Sequence, residues 1–145
     1  MNEKLLSIVI PTKNRQQYCI KAVRQILSLN LKYTQIVIQD NSDEDSLSAE
    51  LSKLDASNIK YNYHAGVLSF VDNFSEAVSL AEGEYICVIG DDDGVLPNII
   101  DIVKMAKKDD YDAVVPGLNA VYCWPSEHSF IKNGEHRYLC VSYLG

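Results

Sequence analysis

The residues best suited to chemistry fall into three short clusters. Asp91, Asp92 and Asp93 stand in a row between Gly90 and Gly94. Asp40-Asn41-Ser42 forms a second cluster and Pro11-Thr12-Lys13-Asn14-Arg15 a third. Neighbouring carboxylates repel, by roughly 4 kcal/mol at about 4 Å near a protein surface and about 1 kcal/mol in bulk water. A divalent cation offsets that repulsion, and carboxylate oxygens are hard ligands suited to Mg2+ or Mn2+. Such an ion keeps positions open for diphosphate oxygens and neutralises charge on a departing nucleoside diphosphate. The same row of acids could instead be a solvated turn that caps the next helix. What decides between the two is where the row sits in the fold.

The surrounding pattern supplies that placement. Leu5 to Ile10 is a short apolar run closed by Pro11, as in a buried strand. Cys19, Ala22, Val23, Ile26 and Leu27 recur at helical spacing and predict an amphipathic helix over 16–29. Ile36-Val37-Ile38 is a second buried strand, followed by a short helix over 46–54. Ile59 to Tyr63 alternates and predicts a third, less buried strand. Phe70, Phe74, Ala77, Val78 and Ala81 mark one buried helical face, which Gly83 ends. Tyr85 to Ile89 is the fourth strand. Pro97 opens a further helix with Ile99, Ile100, Val103 and Ala106 as its stripe. Ala113 to Val115 is expected to form a fifth strand closed by Pro116-Gly117, and Tyr138 to Tyr143 suits one more.

Strands without alternation, separated by amphipathic helices, predict an α/β fold with a mostly parallel sheet covered on both faces. Ligands of such sheets bind outside the carboxyl ends of the strands. All three polar clusters leave such ends, so topology should bring a basic loop and two acidic loops to one edge. That placement favours the cation reading of the aspartate row. Arg15 begins the first helix and is within reach of phosphate oxygens. Asp40 has two readings, a cap for the short helix or an acceptor for the imide N–H of a uracil-like base. Asn73 is either solvated or in contact with ligand. His64 reads as a loop residue and Gly66 as a turn former.

A length of 145 residues fits one domain. The net charge of −7 disfavours nonspecific nucleic-acid binding and gives no help in reaching an anionic membrane. No apolar run approaches the roughly 18 residues of a membrane span. The opening Met1-Asn2-Glu3-Lys4 has no signal-peptide pattern, which places the chain in the cytoplasm. Any contact with the inner face of the membrane is then left to regions outside it. Cys19, Cys87, Cys123 and Cys140 are too widely spaced for a zinc site and read as reduced thiols.

Taken in order, these segments resemble glycosyltransferase family 2. Ser7 to Arg15 is similar to its opening strand and loop, and Ile38 to Ser42 to its V-x-D-[ND]-x-S turn. Ala65-Gly66, Asn73-Phe74 and Ala81 to Ile86 are similar to its middle stretch, and Ile89 to Asp93 with Pro97 to its acidic motif. The Gly-Asp-Asp-Asp form resembles the abequosyltransferase-like branch of surface-polysaccharide enzymes. The resemblance implies a GT-A-like, Rossmann-like core over 5–117, with 118–145 beginning an acceptor-side region that continues past Gly145. It implies that Pro11, Thr12, Asn14 and Arg15 line a nucleotide-sugar pocket, with Asn73 as a further contact. Asp40 would bind the base and Asp91 the ribose, while Asp92, with Asp93 sharing, would hold Mn2+ or Mg2+. Gly90 departs from the common D-x-D-D form, which leaves the register of the motif open by one residue. The implied partners are a nucleoside-diphosphate sugar such as a UDP-sugar and a saccharide or lipid-linked acceptor. The catalytic base of inverting members lies in a later segment; Glu127 and Glu135 match no such motif.

Two other classes compete. A binding-only module of the same fold would keep the acids and lack transfer. A receiver-like phosphoryl-transfer domain would need a lone Asp after its middle strand and a Lys after a late one. Here those places hold His64 and Pro116.

Overall fold

A computed structural model describes residues 4–54, 56–115, 120–121 and 137–138. The chain divides into two compact units, Met1–Met105 and Ala106–Gly145. The first unit is built on β1 (Leu6–Thr12), α1 (Gln16–Ser28), β2 (Thr34–Asp40), α2 (Leu47–Leu51), β3 (Ile59–Tyr63), α3 (Phe70–Ser79) and β4 (Tyr85–Val88). α4 (Ile99–Lys108) runs from the first unit into the second. The four strands form one parallel sheet in the order β3-β2-β1-β4, the α/β architecture of a GT-A-like, Rossmann-like fold.

That order explains the burial. β1 and β2 are central and almost wholly buried, whereas β3 and β4 are edges with partly exposed residues. The chain steps from β1 to β2 in one direction and from β3 to β4 in the other. Right-handed crossovers therefore lay α1 and α3 on opposite faces. α3 sets Ala77 on Val9 and Val37, with Leu80, Ala81 and Val88 at the margin of that cluster. Ile8 and Ile10 alternate to the other face and are wholly buried, as are Cys19, Ala22 and Val23 of α1. Burial pushes the Cys19 and Cys87 thiols up.

Local chemistry sets the helix ends. α1 stops where Asn30 adopts φ 48°, a left-handed conformation that Asn tolerates. α3 starts at Ser69, whose hydroxyl accepts from Asp72 N at 3.1 Å, and Asp72 puts an acid at the positive end of the helix.

Two sequence expectations need correction. Phe70 and Phe74 are not core residues: Phe70 is 81% exposed, and the buried positions of α3 are Asn73 and Ala77. Asn73 already reaches the last residue of β1, so the turn before it lies at the sheet's carboxyl edge, past the end of that strand. Ala113 to Val115 also lies outside any strand, with Val115 87% exposed. An apolar triplet forms a strand only against a neighbour, and no ladder to these residues exists among those described.

In the second unit, α4 ends as Asp110 takes φ 58° and Tyr111 N bonds back to Ala106 O at 2.9 Å. Ala120–Val121 (β5) and Arg137–Tyr138 (β6) form a short antiparallel ladder. Of the expected strand from Tyr138 to Tyr143, only Tyr138 lies within the described residues, and Pro116-Gly117, Cys123, Glu127, Glu135 and Cys140 lie outside them.

Candidate functional site

The parallel register brings the three loops together. Thr12 pairs with Asp40, and Asn41 N donates to Thr12 O at 3.0 Å. On the other side Val9 pairs with Val88 and Ile89 N donates to Val9 O, which delivers Gly90 and the acidic row beside the end of β1. Asn14, at φ 55°, clamps the first two loops. Its N–H donates to Ser42 Oγ (2.7 Å), its side-chain amide donates to Asp43 Oδ2 (3.0 Å), and its Oδ1 accepts from Asp43 N (2.9 Å).

Within this frame Thr12 Oγ donates to Asp91 Oδ2 at 2.8 Å. Arg15 straddles both neighbouring carboxylates, with Nε 2.9 Å from Asp91 Oδ1 and Nη2 2.5 Å from Asp92 Oδ2. The guanidinium also stacks 4.8 Å from the centre of the Tyr18 ring. The Asp91 side chain is 9% exposed and that of Asp92 53%. Burial raises the Asp91 carboxyl above its usual range, opposed by the Thr12 hydroxyl and Arg15. Arg15 in turn is raised, first by its hydrogen bond to Asp92 and then by the charge of Asp91.

These groups line one hollow of about 600 Å3 at the carboxyl edge of the sheet. Pro11, Thr12, Arg15, Asn73, Asp91 and Asp92 face it, and Phe70, Phe74, Val88 and Ile89 add an apolar wall. A hollow of about 650 Å3 opens elsewhere, beside Lys4, Asn30, Tyr33 and Asn58. It is slightly larger but gathers no carboxylates, so the smaller one is the chemical candidate.

Asn73 is not solvated. It is 7% exposed, its amide donates to Thr12 O at 3.2 Å, and among the described residues no donor reaches its buried Oδ1. The acceptor at Thr12 fixes the amide orientation, which leaves the oxygen as the open end.

Three predicted residues, Asn14, Asp40 and Asp93, stand apart from the hollow. Asn14 is spent on Ser42 and Asp43. Asp40 is wholly buried: its Oδ1 accepts from Ser42 N (2.9 Å) and Ser42 Oγ (2.5 Å), and its Oδ2 from the Tyr61 hydroxyl (3.1 Å). It does not cap α2, whose N-cap is Ser46, without a side-chain cap bond. Asp93 folds back on its own turn, where its Oδ2 accepts from Gly90 N at 3.1 Å. A Cβ at Gly90 would come within 2.8 Å of that carboxylate, the far end of a side chain that can turn aside.

Sequence reasoning placed Asn41 in a polar cluster but gave it no role, and it missed the aromatic wall. The Asn41 amide donates to His64 O and Gly66 O and accepts from Leu68 N, so it ties the loop after β3 to the site. Its signal was its place directly after a strand-ending Asp. Gly66 carries φ 127°, as its turn role requires. His64 sits in the loop after β3 with Nδ1 3.2 Å from Glu76.

The family model described as glycosyl transferase family 2 matches residues 7–127. A protein of Escherichia coli (strain K12), provisionally named colanic acid biosynthesis glycosyl transferase WcaA, is 31% identical over 109 residues, covering 74% of this chain and 39% of that protein. A Campylobacter jejuni protein named GalNAc(5)-diNAcBac-PP-undecaprenol beta-1,3-glucosyltransferase is 28% identical over 73% of this chain and 35% of its own length. Glycosyltransferase GlyG of Streptococcus pneumoniae is 25% identical over 77% of this chain and 38% of its own. The chain thus spans less than half the length of these relatives. Among the described residues no helix is long and apolar enough to cross a membrane. With its parallel sheet, its loops in the expected order and a family match over most of its length, the chain belongs to glycosyl transferase family 2.

Proposed function

We propose that this domain binds the nucleoside-diphosphate-sugar donor of a metal-dependent glycosyl transfer in cell-surface polysaccharide synthesis. The observation that carries the reading is the convergence of Thr12, Arg15, Asp91 and Asp92 on one hollow at the carboxyl edge of a parallel sheet. The relatives named for colanic acid biosynthesis and for an undecaprenol-linked glycan support the polysaccharide setting and a saccharide or lipid-linked acceptor.

The residues suit a small hard cation. Mg2+-like ions are held by one or two carboxylates and complete their shell with phosphate oxygens and water. Asp91 and Asp92 offer two adjacent carboxylates, one half-exposed, and no cluster of three or more acids, histidines or cysteines that could hold a metal occurs among the described residues. The site therefore depends on the diphosphate to complete the shell. When bound, Mn2+ or Mg2+ supplies positive charge for the leaving diphosphate. Arg15 adds a second, permanent positive charge to the same group. Thr12 holds Asp91 in place, and Asn73 and Pro11 wall the nucleotide. The acceptor hydroxyl loses its proton to a base in a later segment of the longer enzyme, and displacement inverts the anomeric carbon. This chain alone binds donor and transfers sugar slowly. Any attachment to the inner face of the membrane belongs to regions outside it.

Isothermal titration with UDP and Mn2+ tests the proposal. UDP should bind in the millimolar range or better with Mn2+, and Asp92→Ala should weaken it by about tenfold, the loss of one charge-assisted contact. Absence of binding at millimolar UDP, or indifference to Asp92→Ala, overturns it.

A further inference from the structure

We infer that Arg15 is the resident cation of the acidic site, and that the donor diphosphate draws it away and so opens the carboxylates to the metal. The inference rests on the donor-site reading above and names the residue that couples its two ligands.

Arg15 does not merely lie near the acids. Its Nε and Nη2 take Asp91 Oδ1 and Asp92 Oδ2, one oxygen from each of two adjacent carboxylates. A cation bridging those residues would need the same face of the pair. Asp91 Oδ2 offers no alternative, because Thr12 already donates to it. A guanidinium does not lose its proton at accessible pH, so the carboxylates are cleared only by moving it. The means are present: the Arg15 side chain is 45% exposed, it starts α1, and it borders the hollow. A diphosphate in that hollow offers oxygens that match the guanidinium fork as well as a carboxylate does. Arg15 moves from acid to phosphate, and the two oxygens it held, Asp91 Oδ1 and Asp92 Oδ2, can share a metal with the same phosphate. Diphosphate and metal then strengthen each other's binding, and by linkage the coupling is reciprocal.

An ordinary attractive arginine and a competing one predict opposite signs. Mn2+ affinity without nucleotide is read from the loss of the free-ion signal in electron paramagnetic resonance. Arg15→Gln should tighten Mn2+ binding roughly threefold to tenfold, the worth of two partly exposed ion pairs. It should also weaken UDP measured without metal, so that the gain in Mn2+ affinity caused by UDP shrinks. Arg15→Lys keeps the charge, loses the fork, and should fall between. Lys21→Gln is the charge control, since Lys21 lies against the same Tyr18 ring and makes no ion pair with Asp91 or Asp92. It should change Mn2+ affinity by less than about twofold, as expected for screened surface charge. Equal Mn2+ affinity in the wild type and Arg15→Gln, or an equal gain in Lys21→Gln, overturns the inference and leaves the donor site standing. Failure of every variant and the wild type to bind Mn2+, with or without UDP, overturns the metal-dependent donor site itself.

Discussion

The hydroxyl of Thr12 donates to Asp91 across 79 positions of sequence, from the last residue of β1 to the loop after β4. It is a neutral donor to a buried carboxylate, and it lowers a group that burial otherwise raises. Thr12→Val keeps the shape and removes that donor. The expected cost is about 1.5–3 kcal/mol, the range for hydrogen bonds to charged groups, read from urea unfolding at neutral pH. The sign with pH follows. A carboxyl raised in the folded state stabilises the fold at low pH, and that contribution is lost as pH rises through its folded value. Thr12→Val raises it further, so the variant should lose more stability at neutral pH than in acid. An equal loss at both would deny the bond to Asp91.

Glu82 should contribute to the acid limb of stability. Glu82 is bridged by Lys4 at 2.5 Å and Lys60 at 2.7 Å, which draw its carboxyl down to about 2. A depressed carboxyl contributes stability above its unfolded value near 4.5, and that contribution is lost as pH falls through about 2. Glu82→Gln should therefore flatten the pH dependence of thermal unfolding slightly between those limits, because both ion pairs are exposed, and leave its shape above pH 5 unchanged, where this carboxylate is ionised in both states. An unaltered acid limb in the variant would place the effect elsewhere.

Much of the fold was legible because its signals are local. β1, β2, α1 and β3 announce themselves by apolar runs or period, and the three strand-end loops by polar residues just past those runs. The site was legible in part for the same reason: parallel strands in register leave their exits side by side, so Arg15, Thr12, Asp91 and Asp92 converge once the sheet is granted. What sequence could not carry was partner choice. Asp40 carries the same letters whether it faces a ligand or closes a turn on Ser42, and it is Ser42 together with Tyr61 of the neighbouring β3 that encloses it. The spacing of Phe70 and Phe74 marks a helical face without saying where the sheet beneath that helix ends. The triplet Ala113 to Val115 is apolar enough for a strand, but strand formation depends on a neighbouring edge that no local pattern reports.

Two glycines separate packing from turn chemistry. A Cβ on Gly83 would stand 2.5 Å from Ser7 N and 2.6 Å from Leu6 C, both backbone atoms of the central strand and unable to yield. Gly83→Ala should cost about 3 kcal/mol or prevent folding, as overpacking against a fixed neighbour does. A Cβ on Gly90 meets only the carboxylates of Asp93 and Asp92, at 2.8 and 3.1 Å, and side-chain ends can turn aside. Gly90→Ala should cost less than about 1 kcal/mol while disturbing the acidic turn. Thermal unfolding of the pair checks the contrast, and equal losses would contradict it.

Asp40 is the sharpest test of turn against ligand. All three of its hydrogen bonds come from inside the fold, two from Ser42 and one from Tyr61. Tyr61 has a second acceptor in Asp45 Oδ1 at 2.7 Å, and its hydroxyl is raised by burial and by both carboxylates. That arrangement makes Asp40→Asn survivable. The amide oxygen keeps Ser42, the amide nitrogen donates to Tyr61, and the tyrosine proton turns to Asp45. Its cost should stay below about 1 kcal/mol, whereas Asp40→Ala strands both Ser42 donors and should cost about 2–4 kcal/mol. Because the carboxylate is wholly enclosed, UDP affinity of Asp40→Asn should stay within about twofold of wild type, a difference under half a kcal/mol. A folded Asp40→Asn with UDP affinity reduced tenfold would instead mean that the turn opens to the base, and that the enclosure of Asp40 is a ligand-free arrangement.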